Sequence, residues 1–234
     1  KVLAEQLVLE ATVDTDGDGI FDAEEGLDDS DGDGIPDYQD NIVESYLAPV
    51  GGDSIQVMQA PVGTTIALGD SVFSAGTNSV GLSEEQLVVV TGSADDDYEY
   101  PSGLFDFTVS GAAAGESYNL VLPLASAIPA NSVFRKFIDE NIGWQDFVVD
   151  ATNAISSAAA SNGACPEPGS DLYVSGLTTG DSCIQLFIED GGPNDTDGVA
   201  DGTVTDPSGL ATLYFGPPSS GSSITLSATE LDAG

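Results

Sequence analysis

The sequence predicts an all-β fold, namely a jelly-roll-like β-sandwich preceded by an acidic segment and a short N-terminal apolar strand. Two observations support this prediction. From Asn41 onward, short runs of β-branched and aromatic residues are separated by Gly, Pro, Asn and Asp, which is typical of a sandwich. The preceding stretch is dominated by Asp, Glu and Gly. We therefore divide the chain into residues 1–13, residues 14–40 and a sandwich domain of residues 41–234.

Length and charge limit the classes of protein that the chain can belong to. Its 234 residues can hold one large all-β domain with a real core, and a hydrophobic fraction of 41% argues against global disorder. The sequence has 40 acidic residues and 3 basic ones, which gives a net charge of -37. Nucleic acid and anionic membrane surfaces should be repelled. No apolar run is long enough for membrane insertion.

Residues 1–13, KVLAEQLVLEATV, form an apolar segment that leads into the acidic stretch. Leu3 and Leu7 fit one face of a short helix, whereas the alternation from Leu7 to Val13 fits a strand. As a strand, the segment would pair with its own domain or would add to the sheet edge of a neighbouring subunit. Both arrangements remain open at this point.

Carboxylates recur twice between residues 14 and 40, at the first, third, fifth, ninth and twelfth positions of a loop of the length typical of calcium sites. They are Asp14, Asp16, Asp18, Asp22 and Glu25 in the first copy, and Asp29, Asp31, Asp33, Asp37 and Asp40 in the second. Gly19 and Gly34 occupy the sixth position, where the backbone turns sharply. Ile20 and Ile35 follow, and we expect each to lend a carbonyl oxygen while its side chain packs inward.

Calcium suits this pattern because it takes roughly six to eight hard oxygen ligands in flexible geometry, whereas magnesium retains water. The alternative is an acidic, disordered, solvating run, which does not explain why Gly and Ile recur at the same positions in both copies. The sequence therefore predicts two calcium sites. DTDGDGIFDAEE and DSDGDGIPDYQD resemble the thrombospondin type 3 repeat. This resemblance implies a stiff, calcium-binding spacer of an extracellular protein and no reaction.

The sandwich domain contains ten candidate strands. They are residues 55–59, 65–68, 86–91, 104–109, 118–122, 133–138, 144–149, 183–189, 210–215 and 224–227. Ser83 and Gln86 have the spacing of a capping box for a short helix. Residues 151–163 are rich enough in Ala to be helical, but their Ser and Asn content favours a surface loop equally.

Two cysteines, Cys165 and Cys183, lie 18 residues apart in a chain with the features of a secreted protein. We predict that they form a disulfide bond, which would stabilise the fold by roughly 3 kcal/mol on the chain-entropy model. The alternative is a pair of buried free thiols. A metal site with two thiolates is disfavoured because the chain has no histidine and no further cysteine.

Residues 189–208 form a second acidic and glycine-rich segment. Its candidate oxygen ligands are Glu189, Asp190, Asn194, Asp195, Asp197 and Asp201. The segment does not follow the twelve-position pattern of the first two sites. We therefore keep two alternatives, a third calcium site and a set of turns in which Asp and Asn cap backbone groups.

Arg135 and Lys136 are the only basic residues after Lys1, so each should have a carboxylate partner. In a strand they point to opposite faces, which predicts two separate ion pairs that fix acidic loops. An anion-binding site is the alternative. Trp144 and Phe147 are predicted to lie in the core, with an exposed Trp144 on a carbohydrate-binding face as the alternative.

Several segments of the second half resemble a bacterial surface domain, the choice-of-anchor U domain. They are YEYPSGLFDFTVSG from Tyr98, IPANSVFRKF from Ile128, GWQDFVVDA from Gly143, CPEPGSDLY from Cys165 and GLTTGDSCIQLFIEDGGPNDTDGVADGTVTDPSG from Gly176. The resemblance covers roughly residues 43–225. It implies a location at the bacterial cell surface and no catalytic role.

The absence of histidine excludes catalytic triads and an imidazole base, and we predict that the protein is not an enzyme. We expect a calcium-stabilised, extracellular structural or adhesive protein that assembles with itself through its N-terminal strand, as a homopolymer, or with other cell-surface or matrix components. The alternative is a monomeric binding module that recognises a glycan or a protein through loops of the sandwich. Exposed aromatic residues would favour binding, and an apolar groove would favour assembly.

Overall fold

The structure, a computed structural model, describes residues 7–51, 56–83, 85–86, 88, 94–139 and 141–214. Thirteen strands in this part of the chain form two antiparallel sheets, which confirms the predicted all-β sandwich. No helix among the described residues is sufficiently long and apolar to cross a membrane.

The strands are numbered along the chain. They are β1 (Leu47–Pro49), β2 (Val57–Gln59), β3 (Thr65–Leu68), β4 (Gly81–Leu82), β5 (Tyr98–Glu99), β6 (Leu104–Ser110), β7 (Ser117–Pro123), β8 (Val133–Phe137), β9 (Trp144–Asp146), β10 (Ala154–Ala158), β11 (Val174–Ser175), β12 (Cys183–Glu189) and β13 (Thr203–Leu213). The helical elements are α1 (Asp22–Glu25), a 3-10 turn (Asp37–Gln39) and α2 (Asp70–Ala75).

The strand order shows that the chain alternates between the two sheets at several points. The first sheet has the order β1-β2-β7-β12-β10-β11, and the second has the order β3-β6-β13-β8-β9, with β4 paired to β6 and β5 paired to β13. Consecutive strands such as β6 and β7, or β12 and β13, lie in opposite sheets. β6 pairs with β13 in one sheet while β7 pairs with β12 in the other, so the chain passes between the two sheets of the sandwich.

The main core lies between the sheets and follows the two-residue periodicity of the strands. Phe105 and Phe107 of β6 point inward, and they meet Leu120 and Leu122 of β7. Fully burying each such side chain contributes roughly 1.5–3 kcal/mol. A smaller cluster, which includes Val72 of α2, covers the outer face of the second sheet.

Several predicted elements needed correction. Residues 151–163 contain β10 rather than a helix or a loop, because the Ala-rich segment pairs with β12 over five residues. The predicted strand 210–215 is the end of β13, which already begins at Thr203. The predicted strand 144–149 ends at Asp146. The sequence analysis also missed the short strands β1, β4, β5 and β11, and the helix α2.

The predicted strand 86–91 is wrong where the structure describes it, because Gln86 and Val88 are helical. The capping box is confirmed: Gln86 N–H donates to Ser83 Oγ at 3.2 Å, and Ser83 N–H donates to Gln86 Oε1 at 2.8 Å. Residues 87 and 89–91 and the predicted strand 224–227 lie outside the described residues, as does Ile55 of the predicted strand 55–59.

The N-terminal segment is described from Leu7 onward. Residues 7–13 form no strand with any part of the chain that the structure describes, so the predicted pairing with the chain's own domain is not seen there. Leu7 is 57% exposed and Val8 is 80% exposed, which means that the sandwich does not cover them. Residues 1–6 lie outside the described part of the chain.

Candidate metal centre

The two acidic copies fold into two loops, which we call loop 1 (residues 14–25) and loop 2 (residues 29–40). Gly19 and Gly34 have φ angles of 98° and 96°, a region that favours glycine. The backbone therefore turns at the sixth position of each loop, as predicted. Loop 1 ends in α1, and loop 2 ends in the 3-10 turn.

Each loop is held by the same set of internal hydrogen bonds. The first-position carboxylate, Asp14 in loop 1, accepts from Gly17 N–H at 2.8 Å and from Gly19 N–H at 3.1 Å. In loop 2, Asp29 accepts from Gly32 and Gly34 at the same two distances. One oxygen of the fifth-position carboxylate accepts from the isoleucine N–H at 2.7 Å in both loops. The sequence repeat is therefore also a structural repeat.

A clasp that the sequence analysis missed closes each loop. The ninth-position carboxylate, Asp22 in loop 1, accepts hydrogen bonds from Thr15 N–H and Thr15 Oγ, both at 2.8 Å. Asp37 in loop 2 accepts from Ser30 N–H at 2.7 Å and from Ser30 Oγ at 2.8 Å. The signal in the sequence was a hydroxyl residue at the second position of both copies. In loops of this type the ninth position often reaches calcium through a water molecule, which is compatible with this clasp.

The first, third and fifth positions bring their carboxylates together in both loops. One oxygen from each of Asp14, Asp16 and Asp18 lies within 4.8 Å of the others, and Asp29, Asp31 and Asp33 form the same arrangement. This spacing fits oxygens around a single calcium ion at roughly 2.3–2.6 Å from each ligand. The structure therefore brings together three predicted ligands in each loop.

Several carboxylate oxygens of these loops are buried and have no proton donor. They are Asp16 Oδ2, Glu25 Oε2, Asp31 Oδ2 and Asp33 Oδ2. Asp33 is the most enclosed of these residues, with 1% exposure. A buried anion without a donor is costly, and a bound cation removes that cost. Hard oxygens without nitrogen or sulfur ligands fit calcium, so these residues suit the predicted metal.

Burial raises the pKa of some loop carboxyls, namely Asp16, Glu25, Asp31, Asp33 and Asp40. Burial, reinforced by Asp31 and Asp40, raises the pKa of Asp33 to about 7 although Ile35 N–H donates to it. Burial and the charges of Asp16 and Asp18 raise the pKa of Glu25 to about 6. The metal-free loops therefore favour protonation of these carboxyls.

The twelfth-position carboxylates lie at the junction of the loops. A cleft of about 240 Å³ is lined by Glu25 from loop 1 and by Asp31 and Asp40 from loop 2. Burial is the main cause that raises the pKa of Asp40 to about 6, and both Asp31 of its own loop and Asp16 of the other loop contribute. The two candidate sites are therefore coupled electrostatically.

Loop 2 is bonded to the sandwich at two places in the described part of the chain. Asp33 O accepts a hydrogen bond from Leu68 N–H of β3 at 2.8 Å, and Gln39 accepts from Asn78 Nδ2 at 2.9 Å. Ile35 is 1% exposed, which confirms that its side chain packs inward. Ile20 at the equivalent position of loop 1 is 46% exposed, so the same prediction is wrong there.

The segment 189–208 has a different arrangement, because its buried polar groups bind the backbone. Asp190 accepts from the N–H groups of Gly115, Gly202 and Asp201. Asp195 accepts from Gly191 and Thr205. These bonds fix the connection between β12 and β13, and they support the alternative of hydrogen-bonded turns.

The remaining candidate ligands of this segment follow the same rule. Asn194 binds Val148 N–H and O, both at 2.8 Å, and Glu189 accepts from Thr152 Oγ at 2.7 Å. Asp197 and Asp201 each cap a nearby N–H. Among the described residues, this segment does not bring three carboxylates together as the two loops do.

The predicted disulfide bond is confirmed, and Arg135 and Lys136 each have a carboxylate partner as predicted, but the partner of Lys136 lies in β13 rather than in an acidic loop. Cys165 and Cys183 form a disulfide bond. Arg135 pairs with Asp95 and Asp146 on one face of β8, and Lys136 pairs with Asp206 on the other.

The aromatic residues near β9 are packed rather than presented to solvent. Trp144 contacts Tyr100 and Phe137, with ring centroids 5.2 Å and 5.7 Å apart. Phe147 lies in the main core. The arrangement agrees with the predicted core role and gives no flat aromatic platform at Trp144.

No protein-family model, no curated protein and no solved structure matches this chain. The resemblances to thrombospondin type 3 repeats and to a choice-of-anchor domain therefore stay predictions from the sequence.

Proposed function

We propose that this protein is a non-catalytic, calcium-stabilised, extracellular structural or adhesive protein and a self-assembling subunit of a surface fibre or matrix. The observation that carries the proposal is the pair of acidic loops, whose buried oxygens lack proton donors. The strongest support comes from Asp33, because its Oδ2 atom is buried without a proton donor in the loop that is bonded to the sandwich.

Calcium in these loops would act on the fold through charge and geometry. The chain has a net charge of -37, so its compact state is opposed by self-repulsion. An ion that binds the folded loops and not the unfolded chain stabilises the fold by about 2.7 kcal/mol at a concentration one hundred times its Kd. Because Asp33 O is bonded to Leu68 of β3, calcium in loop 2 would also fix the acidic segment on the sandwich.

The N-terminal segment supports assembly between chains. Leu7 and Val8 are exposed apolar residues that the described part of their own chain leaves uncovered. The edge strands of the first sheet are β1 and β11, and both are short; part of the β1 edge is already occupied, because Pro49 O accepts from Val80 N–H at 2.9 Å. A groove of about 500 Å³ lies beside β1 and β2, lined in part by Leu47, Gln59 and Val62. An apolar segment added at such an edge would link one subunit to the next.

The alternative of a glycan-binding or protein-binding module has less support. It would use exposed aromatic side chains near Trp144, but Trp144 packs on Tyr100 and Phe137. Tyr98 lies against the guanidinium of Arg135, with 4.3 Å between the ring centroid and Cζ.

An extracellular location agrees with the disulfide bond, because disulfides persist in oxidising compartments.

Light scattering and electron microscopy would test this proposal on the full chain in millimolar calcium and in chelator. A chain that lacks residues 1–13 and the matched variants Asp33→Asn and Asp18→Asn would be compared with it. We expect fibres or large oligomers for the full chain in calcium, and smaller species after truncation or chelation. A monomer in all conditions would refute self-assembly, and unchanged assembly after truncation would refute the role of the N-terminal segment.

A further inference from the structure

The second sheet buries a charged pair inside the sandwich. Lys136 of β8 lies opposite Ser208 of β13, and Asp206 lies two residues before Ser208 on the same face. Phe134 and Leu210 are the neighbouring inward residues of these two strands, and both belong to the main core. The side chains of Lys136 and Asp206 are both 0% exposed. An amine and a carboxyl group therefore meet between the two sheets, away from solvent.

The contact between these groups is close but incomplete as an ion pair. Lys136 Nζ lies 2.6 Å from Asp206 Oδ1, yet the angles are outside the hydrogen-bond range. Asp206 Oδ2 and Ser208 Oγ also have no hydrogen-bond partner. Charges in a dry core are stabilised only when their hydrogen bonds are satisfied, so a salt bridge alone explains this arrangement poorly.

Arg135, the next residue of β8, shows what a satisfied pair looks like in this protein. Its guanidinium donates to both oxygens of Asp95 and to Asp146, at 2.7–3.1 Å. Tyr100 Oη donates to the same Asp95 carboxylate at 2.7 Å. The contrast with Lys136 is not one of burial alone, because Asp95 is also buried. The guanidinium of Arg135 donates to two carboxylates, whereas the amine of Lys136 makes no hydrogen bond within the described part of the chain. The Asp206 carboxyl is its ion-pair partner there, and Asp195 and Asp106 act on it through their charges.

We propose that Lys136 and Asp206 form an intramolecular amide cross-link between Lys136 Nζ and Asp206 Cγ. The inference rests on the proximity of the two groups, their complete burial and the lack of a hydrogen bond from any described residue to either group. It goes beyond the proposed function and does not depend on calcium or on assembly.

The reaction needs no oxidant, reductant or cofactor. Transfer of one proton from the Lys136 ammonium to the Asp206 carboxylate gives a neutral amine and a carboxylic acid. The lone pair of Nζ then attacks Cγ. One proton from Nζ moves to the departing hydroxyl, the Cγ–O bond breaks, and one water molecule leaves as the amide forms. Two buried charges become one neutral amide, which removes the cost of keeping them from water.

The surroundings favour each part of this step. Burial lowers the pKa of Lys136, against the opposing influence of Asp206, Asp195 and Asp106, and this favours the nucleophilic neutral amine. Lys136 is held by the ladder between β8 and β13, and Asp206 is held by the pairing of β13 with β6, so the reaction requires little loss of freedom. The Ser208 side chain is buried on the same face of β13, opposite Lys136, which keeps the pair away from solvent.

Intact-mass spectrometry of the full chain, reduced and denatured in chelator, would test the proposal. Reduction removes the mass effect of the disulfide, so we expect a mass below the sequence mass by one water molecule. Proteolysis should release one joined fragment that contains Lys136 and Asp206. If the folded wild-type chain still has the full sequence mass after prolonged incubation, the proposal is wrong. This test uses the wild-type chain alone, so it does not depend on whether a variant folds.

Two variants separate the cross-link from other losses of water, such as cyclisation at Asp-Gly sequences. Lys136→Arg keeps a cation but has no primary amine, and Asp206→Ala removes the carboxyl group. We expect both variants at their full sequence masses and without a joined fragment. A water loss that persists in Lys136→Arg, or a wild-type digest without the joined fragment, would equally refute the assignment.

Discussion

Loop 1 and loop 2 have the same motif and the same internal hydrogen bonds, but they have different surroundings. In both loops the first-position carboxylate accepts from two glycine N–H groups, and a hydroxyl residue clasps the ninth-position carboxylate. Loop 2 is bonded to β3 and buries Ile35, whereas Ile20 of loop 1 is about half exposed. The repeat therefore specifies how each loop closes, and tertiary contact decides what each loop supports.

This difference assigns separate tasks to the two sites. A cation in loop 2 would be linked to the stability of the sandwich, because Asp33 supplies a carboxylate to the site and a backbone carbonyl to Leu68 of β3. A cation in loop 1 would mainly order the spacer. Asp16 of loop 1 and Asp40 of loop 2 still interact, so the sites are distinct without being independent.

The largest expected difference between the loops concerns their isoleucines. Ile35→Ala should lower the free energy of unfolding by about 2–5 kcal/mol, because it leaves a cavity at a buried position. The matched variant Ile20→Ala should change it by no more than about 0.5 kcal/mol. Urea denaturation of both variants in calcium would measure this contrast. Equal losses would contradict the asymmetric docking of the loops.

The next largest effect concerns the fifth-position carboxylates. In calcium, Asp33→Asn should destabilise the protein by up to about 2.7 kcal/mol at one hundred times the Kd, whereas Asp18→Asn should mainly lose one bound ion. In chelator the sign should reverse for Asp33→Asn, because the variant removes a buried charge next to Asp31. Thermal unfolding in both buffers would test this. A loss of stability in chelator that equals the loss in calcium would contradict a metal-ligand role for Asp33.

The two loops should also respond differently to pH. The pKa of Asp33 is about 7 in the folded protein and about 4 in the unfolded chain. Without metal, the contribution of Asp33 to the free energy of unfolding is therefore fully present below about pH 4 and is lost as the pH rises through about 7. With calcium the dependence reverses, since protons compete with the ion. Calcium affinity should fall below about pH 7 at loop 2, and below about pH 6 at loop 1, where Glu25 titrates. Calorimetric calcium titrations across this pH range would measure loop 2 in Asp18→Asn and loop 1 in Asp33→Asn. Identical pH dependence of the two calcium affinities would refute the predicted difference.

The smallest expected effect concerns the clasps. Thr15→Ala and Ser30→Ala each remove one hydroxyl donor to the ninth-position carboxylate and leave the N–H bond in place. Each loss should cost about 0.5–1.5 kcal/mol of loop stability. Hydrogen exchange should show the change locally in both loops, but only Ser30→Ala should also lower the protection of β3. Equal effects on β3 would argue that both loops are coupled to the sandwich.

The sequence was sufficient to predict the sandwich and the convergence of three carboxylates in each loop, because both depend on local spacing. It could not predict that Ile35 is buried and Ile20 is not, since both occupy the same position of the motif and the motif does not show which loop is bonded to β3. The start of β13 was missed because Asp206, Pro207 and Gly209 are unfavourable in strands. Asp206 is tolerated there beside Lys136, and pairing with β8 begins only after Pro207.

The segment 189–208 shows why acidic composition alone is ambiguous. Asp190 and Asp195 resemble metal ligands in the sequence, but each is taken up by backbone N–H groups. Those donors come from distant positions such as Gly115, so no local spacing reveals them. The repeated loops differ because three of their carboxylates converge within twelve residues.

A calcium titration of the full chain by isothermal calorimetry tests the central claim most directly. The account predicts two tight sites per chain, one for each converging carboxylate group, with one site lost in Asp18→Asn and one in Asp33→Asn. Of the two ions, only the one in loop 2, which Asp33→Asn loses, should raise the unfolding temperature of the sandwich. Absence of tight binding, or binding that neither variant changes, would contradict the account.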